Sequence, residues 1–186
     1  MAEVIRFEDR ALKALRDRLG AAEVERDELL AFARGHAGAT ASIHEAVLSL
    51  MACDSVPDLF ATIVHRWAEL LLVDHCAIAL KAGEDAYRID RTGNHRLESA
   101  WVTRAMGWGR VQMRATNHGD PLFGKIAPAI RTEALIPFEA GDGRLSGLIL
   151  LGQEDSLPLD GDHGQALLGF LGETLGAMLM RCTKNR

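Results

Sequence analysis

An α+β fold, a central antiparallel sheet of about five or six strands flanked by helices, follows from three features of the sequence. Strand-like segments come in neighbouring pairs joined by short turns, 74–81 with 86–91 and 133–140 with 145–153. Such spacing makes hairpins, because a tight connection can only reverse the chain. The stretch Leu145-Ser-Gly-Leu-Ile-Leu-Leu-Gly152 is apolar on both pleat faces, with Ile149 and Leu151 on one and Leu148 and Leu150 on the other. A strand that must be covered on both sides lies inside a sheet, between two layers. Finally, segments with helical periodicity stand before the first hairpin and after the last.

Taken in order, residues 4 to about 52 keep one heptad frame. Position a holds Ile5, Leu12, Leu19, Arg26, Ala33, Thr40 and Val47; position d holds Glu8, Leu15, Ala22, Leu29, His36, Ile43 and Leu50. The seam is strongest from Leu12 to Leu29 and again from Ile43 to Leu50. Gly35 and Gly38 each cost about 1 kcal/mol against alanine in a helix, yet the frame does not slip across them. That favours one long helix seeking a partner over a helix that folds back on its own domain. The division expected is therefore 1–53, a long N-terminal heptad helix, and 54–186, a sheet domain. The expected dimer interface is Ile5, Leu12, Leu15, Leu19 and Leu29.

Ser55 is placed to cap a new helix, Pro57 is tolerated in its first turn, and Asp58 suits the positive end of the helix dipole. Leu59, Phe60, Ile63, Val64, Trp67, Ala68 and Leu71 then form a broad buried stripe. The next hairpin turns at 82–85. From 92 to 130 the pattern is least regular: a short helix near 97–106, a strand at 111–114 and the loop Asn117-His-Gly-Asp-Pro-Leu-Phe-Gly124. This stretch carries Trp101, Trp108 and Phe123. Irregular backbone rich in large aromatics suits a pocket wall, and equally suits a lid packed tightly on its own sheet.

Strand 133–140 contains Pro137, which cannot donate to a ladder, so a bulge or strand end is expected there. Gly141-Asp142-Gly143 supplies the turn into 145–153. The closing helix, from about Asp162, directs Leu167, Leu171, Leu175, Met178 and Leu179 to a core. Gly169, Gly172 and Gly176 lie along one side of it, a costly row that makes sense where another element must approach closely.

Composition narrows the function. With 186 residues, 48% hydrophobic and 25% charged, the chain has enough apolar mass for a core. A net charge of −5 opposes nucleic acid or an anionic membrane as partner, both of which need a basic surface. No apolar run approaches the roughly 18–20 residues of a membrane span. The N-terminus lacks a signal-peptide core. Cys53, Cys76 and Cys182 are odd in number and widely spaced, suggesting neither disulfides nor zinc. A reduced, cytoplasmic protein is expected.

No catalytic constellation stands out. There is no Gly-x-Ser-x-Gly elbow, P-loop or dinucleotide fingerprint, and the histidines show no metal-ligand spacing. Cys76 on a central strand reads as a small hydrophobe, and His118 beside Asp120 as part of a turn. No catalytic residue, metal or cofactor is expected.

Three stretches carry a resemblance: Glu133-Ala-Leu-Ile-Pro-Phe138, Gly147-Leu-Ile-Leu-Leu-Gly152 and Leu167-Leu-Gly-Phe-Leu171. They resemble the apolar-Pro-apolar strand, Gly-Leu-apolar strand and Leu-Leu helix of GAF domains. Gly119-Asp-Pro-Leu-Phe-Gly124, Arg131-Thr-Glu-Ala-Leu135 and the run from Gly143 to Asp155 narrow it to the DUF484 family. That family joins a helical lead to a GAF-like domain and has no known function. The resemblance implies a non-enzymatic sensor or regulatory module that dimerises through its helices and binds a small molecule in its cleft. The alternative is an adaptor whose cleft is filled and whose helical surface meets a protein partner. The expected ligand contacts are Trp101, Trp108, Phe123, Ile136 and Phe138. The Asn-Lys…Phe…Asp-Glu pattern of cyclic-nucleotide-binding GAF domains is not recognisable here, which argues against cyclic GMP or AMP.

Overall fold

The computed structural model describes residues 18, 20, 23–26, 37–107, 109–141, 143–156 and 162–184. The chain divides into two units, Met1–Thr40 and Ala41–Arg186. The described residues of the first unit are helical. The expected interface positions Ile5, Leu12, Leu15, Leu19 and Leu29 lie outside the described residues, as do residues 27–36, across which the heptads carry the long N-terminal helix.

In the second unit residues 41–51 form α1. Its apolar face, Ile43, Ala46 and Leu50, is at most 4% exposed and belongs to the core of the sheet domain. The hydroxyl of Ser49 donates to Ala46 O (2.6 Å) and accepts from the buried Trp67 indole (3.1 Å). The heptad stretch from Ile43 to Leu50 is thus occupied by the domain's own packing. This is why the compact unit starts at Ala41, ahead of the division at 53/54 read from the sequence.

Helix α2, Val56–Leu70, starts as expected: Ser55 Oγ accepts from Asp58 N and donates to the Asp58 carboxylate. Leu59, Ile63, Val64, Trp67 and Ala68 are its buried stripe. The strands are β1 His75–Ala82, β2 Asp85–Asp90, β3 Gly93–Leu97, β4 Gln112–Ala115, β5 Thr132–Ala140 and β6 Leu145–Gln153. They form one six-stranded antiparallel sheet ordered β3-β2-β1-β6-β5-β4. Helix α3, Ser99–Met106, precedes β4, and helix α4, Asp162–Lys184, closes the chain.

The sheet separates two cores, as the doubly apolar β6 requires. On one face Cys76, Ile78, Ile136, Phe138, Ile149 and Leu151 meet α1, α2 and α4. On the other, Ala77, Ala79, Leu135, Leu148 and Leu150 meet Val102 of α3 and the 3-10 segment Pro121–Ala129. The glycine row of α4 also has the expected cause. A Cβ on Gly172 would collide with the Pro137 carbonyl, and one on Gly176 with the Glu139 carbonyl.

Two details differ from the sequence reading. Strand β3 was not anticipated: Gly93-Asn-His-Arg-Leu97 has little apolar character and pairs only with β2, at the sheet edge. Pro137 sits neither at a bulge nor at the strand end, because its register with Leu148 runs on unbroken. Strand β4 reaches only as far as Leu135, so at Pro137 the opposite side of β5 has no strand neighbour and the missing N–H forfeits no ladder bond.

Candidate functional site

The site grows from one buried charge. Glu133 opens β5 directly opposite Arg114 of β4, on the same pleat face as Leu135 and Gln112. Its carboxylate is fully buried. Arg114 Nε donates to Oε1 (2.5 Å) and the backbone N–H of Asp120 donates to Oε2 (2.6 Å). Both carboxylate oxygens are thus satisfied out of water by donors from β4 and the loop. Asp120 in turn caps the 3-10 segment, with Oδ1 accepting from Leu122 N (3.0 Å), and its other oxygen lies 3.5 Å from Arg114 Nη2. Gly119 packs so tightly on Ile130 that an added Cβ would lie 2.7 Å from the isoleucine Cβ. The Gly119–Gly124 and Arg131–Leu135 motifs therefore form one mechanical unit that fixes the loop to the sheet.

Above this unit, between α3 and the β4–β5 face, lies a recess of about 410 Å³. Trp101, Arg104, Gln112, Arg114, Asp120 and Leu135 line it. Gln112 Nε2 donates to Ala105 O (3.1 Å) and ties β4 to α3. Trp101 is 40% exposed, unusual for a side chain of its size. The Arg104 side chain extends from the last turn of α3 with no hydrogen-bond partner among the described residues. An indole face, two guanidinium groups and one amide can hold a small molecule with a planar part and an anionic group.

The four described residues among the five expected ligand contacts are not brought together. Trp101 lines the recess. Phe123 is 1% exposed, in the core of the same sheet face. Ile136 and Phe138 point to the opposite face, towards α1, α2 and α4. They alternate with Leu135, so no ligand above Leu135 can touch them. Trp108 lies outside the described residues. The reading overlooked Arg104, Gln112, Arg114 and Glu133. A signal was present in Glu133, a lone carboxylate heading an apolar strand, and in the 112/114 alternation.

Cys53, Cys76 and Cys182 are all buried and unpaired. Burial pushes the Cys76 thiol up to about 12, Arg91's charge pulling only partly back. It is thus protonated at neutral pH and a poor nucleophile. Among the described residues no three His, Cys, Asp or Glu side chains are grouped to hold a metal ion, and no helix is long and apolar enough to cross a membrane.

The family model for DUF484, a protein family of unknown function, matches residues 1–184. The chain belongs to the DUF484 family. Among curated proteins no match is found. Solved structures place its fold among GAF domains. The free methionine-R-sulfoxide reductase of Neisseria meningitidis, in complex with its substrate, is similar at 14% identity and TM-score 0.60, covering 77% of this chain and 89% of that one. The GAF domain of an Acinetobacter phosphoenolpyruvate-protein phosphotransferase is similar at 12% identity and TM-score 0.60, covering 77% and 93%. That of a putative sensor histidine kinase from Pseudomonas syringae pv. tomato is similar at 13% identity and TM-score 0.54, covering 85% and 94%.

Proposed function

We propose that this DUF484 protein is a non-enzymatic sensor or regulatory module whose ligand, a small anionic molecule with a planar part, binds in the recess between α3 and the β4–β5 face. The observation that carries this reading is the half-exposed Trp101 beside Arg104, unpartnered among the described residues, in a recess of about 410 Å³. The fold supports the small-molecule part of this reading, since one neighbour, itself an enzyme, is known with its substrate bound. The protonated Cys76 thiol supports a role without thiol catalysis. Dimerisation through Ile5, Leu12, Leu15, Leu19 and Leu29 is part of the proposal, supported by the heptad frame. The unpaired cysteines support a reducing, cytoplasmic setting.

A metabolite library screened by thermal shift against the full chain tests the ligand site, because a ligand that favours the folded state raises the melting temperature by mass action. At least one compound should stabilise the wild type and lose its effect with Trp101→Ala and Arg104→Ala. No stabilising compound, or hits retained by both variants, refutes the site.

An adaptor role is the second reading, favoured by Leu48 and Met51 on α1, which are 63% and 54% exposed. Under that reading a protein partner covers them and the recess stays empty.

A further inference from the structure

A second cavity, of about 380 Å³, lies where the start of β1, the β2–β3 turn and the 3-10 segment meet, and none of its lining residues is shared with the Trp101 recess. Arg88 is its central group. The side chain is 11% exposed, and Nε donates to Asp90 Oδ2 at 2.7 Å. The guanidinium lies against Gly124, whose φ of 64° suits glycine and where any Cβ would collide with it. The family motif residue Gly124 is thus a seat for the arginine fork. Locked from one side by Asp90 and from below by Gly124, the fork keeps Nη1 and Nη2 without a hydrogen-bond partner among the described residues.

The carboxylates that line the cavity are already engaged. Asp90 Oδ1 accepts from the Thr92 amide (2.8 Å) and hydroxyl (2.6 Å), with His95 Nε2 at 3.3 Å. Asp74 Oδ2 accepts from Glu154 N (2.8 Å), and His75 Nε2 sits 2.9 Å from Glu154 Oε1. Arg91 Nε reaches instead towards Val64 O (3.4 Å). Lys125, also lining the cavity, has no partner among the described residues. Phe123 and Ile126 contribute an apolar wall. A pre-oriented guanidinium fork and an ammonium unpartnered among the described residues, beside carboxylates already engaged in hydrogen bonds, make a binding site for an oxyanion.

We infer that this cavity is a second ligand site, which takes the carboxylate or phosphate group of a small organic anion on Arg88 and Lys125 and packs its apolar part on Phe123 and Ile126. The site is independent of the Trp101 recess.

The test is a ¹⁵N–¹H NMR titration of the full chain with inorganic phosphate and, separately, with acetate, each against sodium chloride at equal ionic strength. At least one probe should shift the amides of Thr92, Phe123 and Lys125 saturably. Phosphate alone identifies a phosphate ester as the ligand class, acetate alone a carboxylic acid, and both an oxyanion site open to either. Lys125→Met should weaken the response by at least about tenfold, the worth of one hydrogen bond to a charged group. Arg88→Met should abolish it. Lys125 is exposed and has no partner among the described residues, so its variant remains informative even if the Arg88 variant does not fold. Trp101→Ala should leave the response unchanged, which separates this site from the first. No saturable shift at those amides with either probe overturns the inference. So does a shift that persists undiminished in Lys125→Met.

Discussion

Alanine substitution along the glycine row of α4 should change sign within one helix. In an open helix each Gly→Ala exchange gains about 1 kcal/mol, from chain entropy and propensity. Gly169 is such a position: an added Cβ would meet only Val111 Cγ2, at 3.7 Å, an ordinary contact. Gly169→Ala is therefore expected to stabilise by up to about 1 kcal/mol. At Gly172 and Gly176 the neighbour is the carbonyl oxygen of Pro137 or Glu139 on β5. Backbone in a sheet cannot rotate away, so the helix must lift. Lifting it withdraws Leu171, Leu175 and Leu179, all fully buried, from the core they share with Ile136 and Phe138. Overpacking of this kind costs about 1–3 kcal/mol, and more where relief is blocked. With relief blocked by sheet backbone the upper part of that range applies, about 2–3 kcal/mol, so against a propensity gain of about 1 kcal/mol each single variant should lose about 1–2 kcal/mol. With a urea slope of about 1–3 kcal/mol/M, the midpoint should fall by roughly 0.3–2 M. The Gly172→Ala, Gly176→Ala double variant should lose less than the sum, because one displacement of the helix relieves both clashes. Equilibrium urea unfolding followed by circular dichroism measures the four variants against wild type. A Gly172→Ala midpoint at or above wild type would refute the close approach of α4 to β5.

Gly147→Val should lower the unfolding midpoint, because a Cβ there collides with the Ala79 carbonyl and comes within 2.9 Å of the Phe138 ring; a cost of about 1–3 kcal/mol or more follows, and an unchanged midpoint would show β6 to be tolerant. Burial pushes the Asp90 carboxyl up, but hydrogen bonds from Thr92 and Arg88 outweigh this and hold it below its ordinary value of 3.8. Its contribution is therefore present above that value and lost as pH falls through the lower folded value. The stability gap between wild type and Asp90→Asn, read from urea midpoints, should be full at pH 7 and shrink below about pH 3.8; a gap that widens on acidification would contradict the sign. Multi-angle light scattering should find the full chain dimeric and the chain beginning at Ala41 monomeric, since Ala41 keeps Ile43, Ala46 and Leu50 in their core. Equal masses per chain count for both would remove the heptad interface.

Much of the fold was legible because its signals are local. The hairpin spacing of β1–β2 and β5–β6, the doubly apolar run of β6, the Ser55 cap, the α2 stripe and the glycine turn before Leu145 each depend on neighbours a few residues apart, and each is found in the structure. Strand β3 was not legible, since an edge strand needs only a partner for its backbone and places little demand on its side chains. The ownership of Ile43 and Leu50 was ambiguous for a related reason. A heptad states that a helix face is apolar, not which surface covers it, and here the domain's own core does. The described residues among the expected ligand contacts fall on both faces of the sheet because of register. Counting aromatics along 101–138 joined Trp101 to Phe138, but β5 turns alternate side chains to opposite faces, so Leu135 and Phe138 lie on different sides of the sheet. What the sequence by itself determined was the set of local elements and their apolar faces, because those follow from backbone geometry and periodicity. Only the tertiary structure decided that Arg114, Asp120 and Glu133 meet, that Arg88 rests on Gly124, and that two separate recesses result. Those contacts join segments distant along the chain, and their energy exists only once the sheet register has been set.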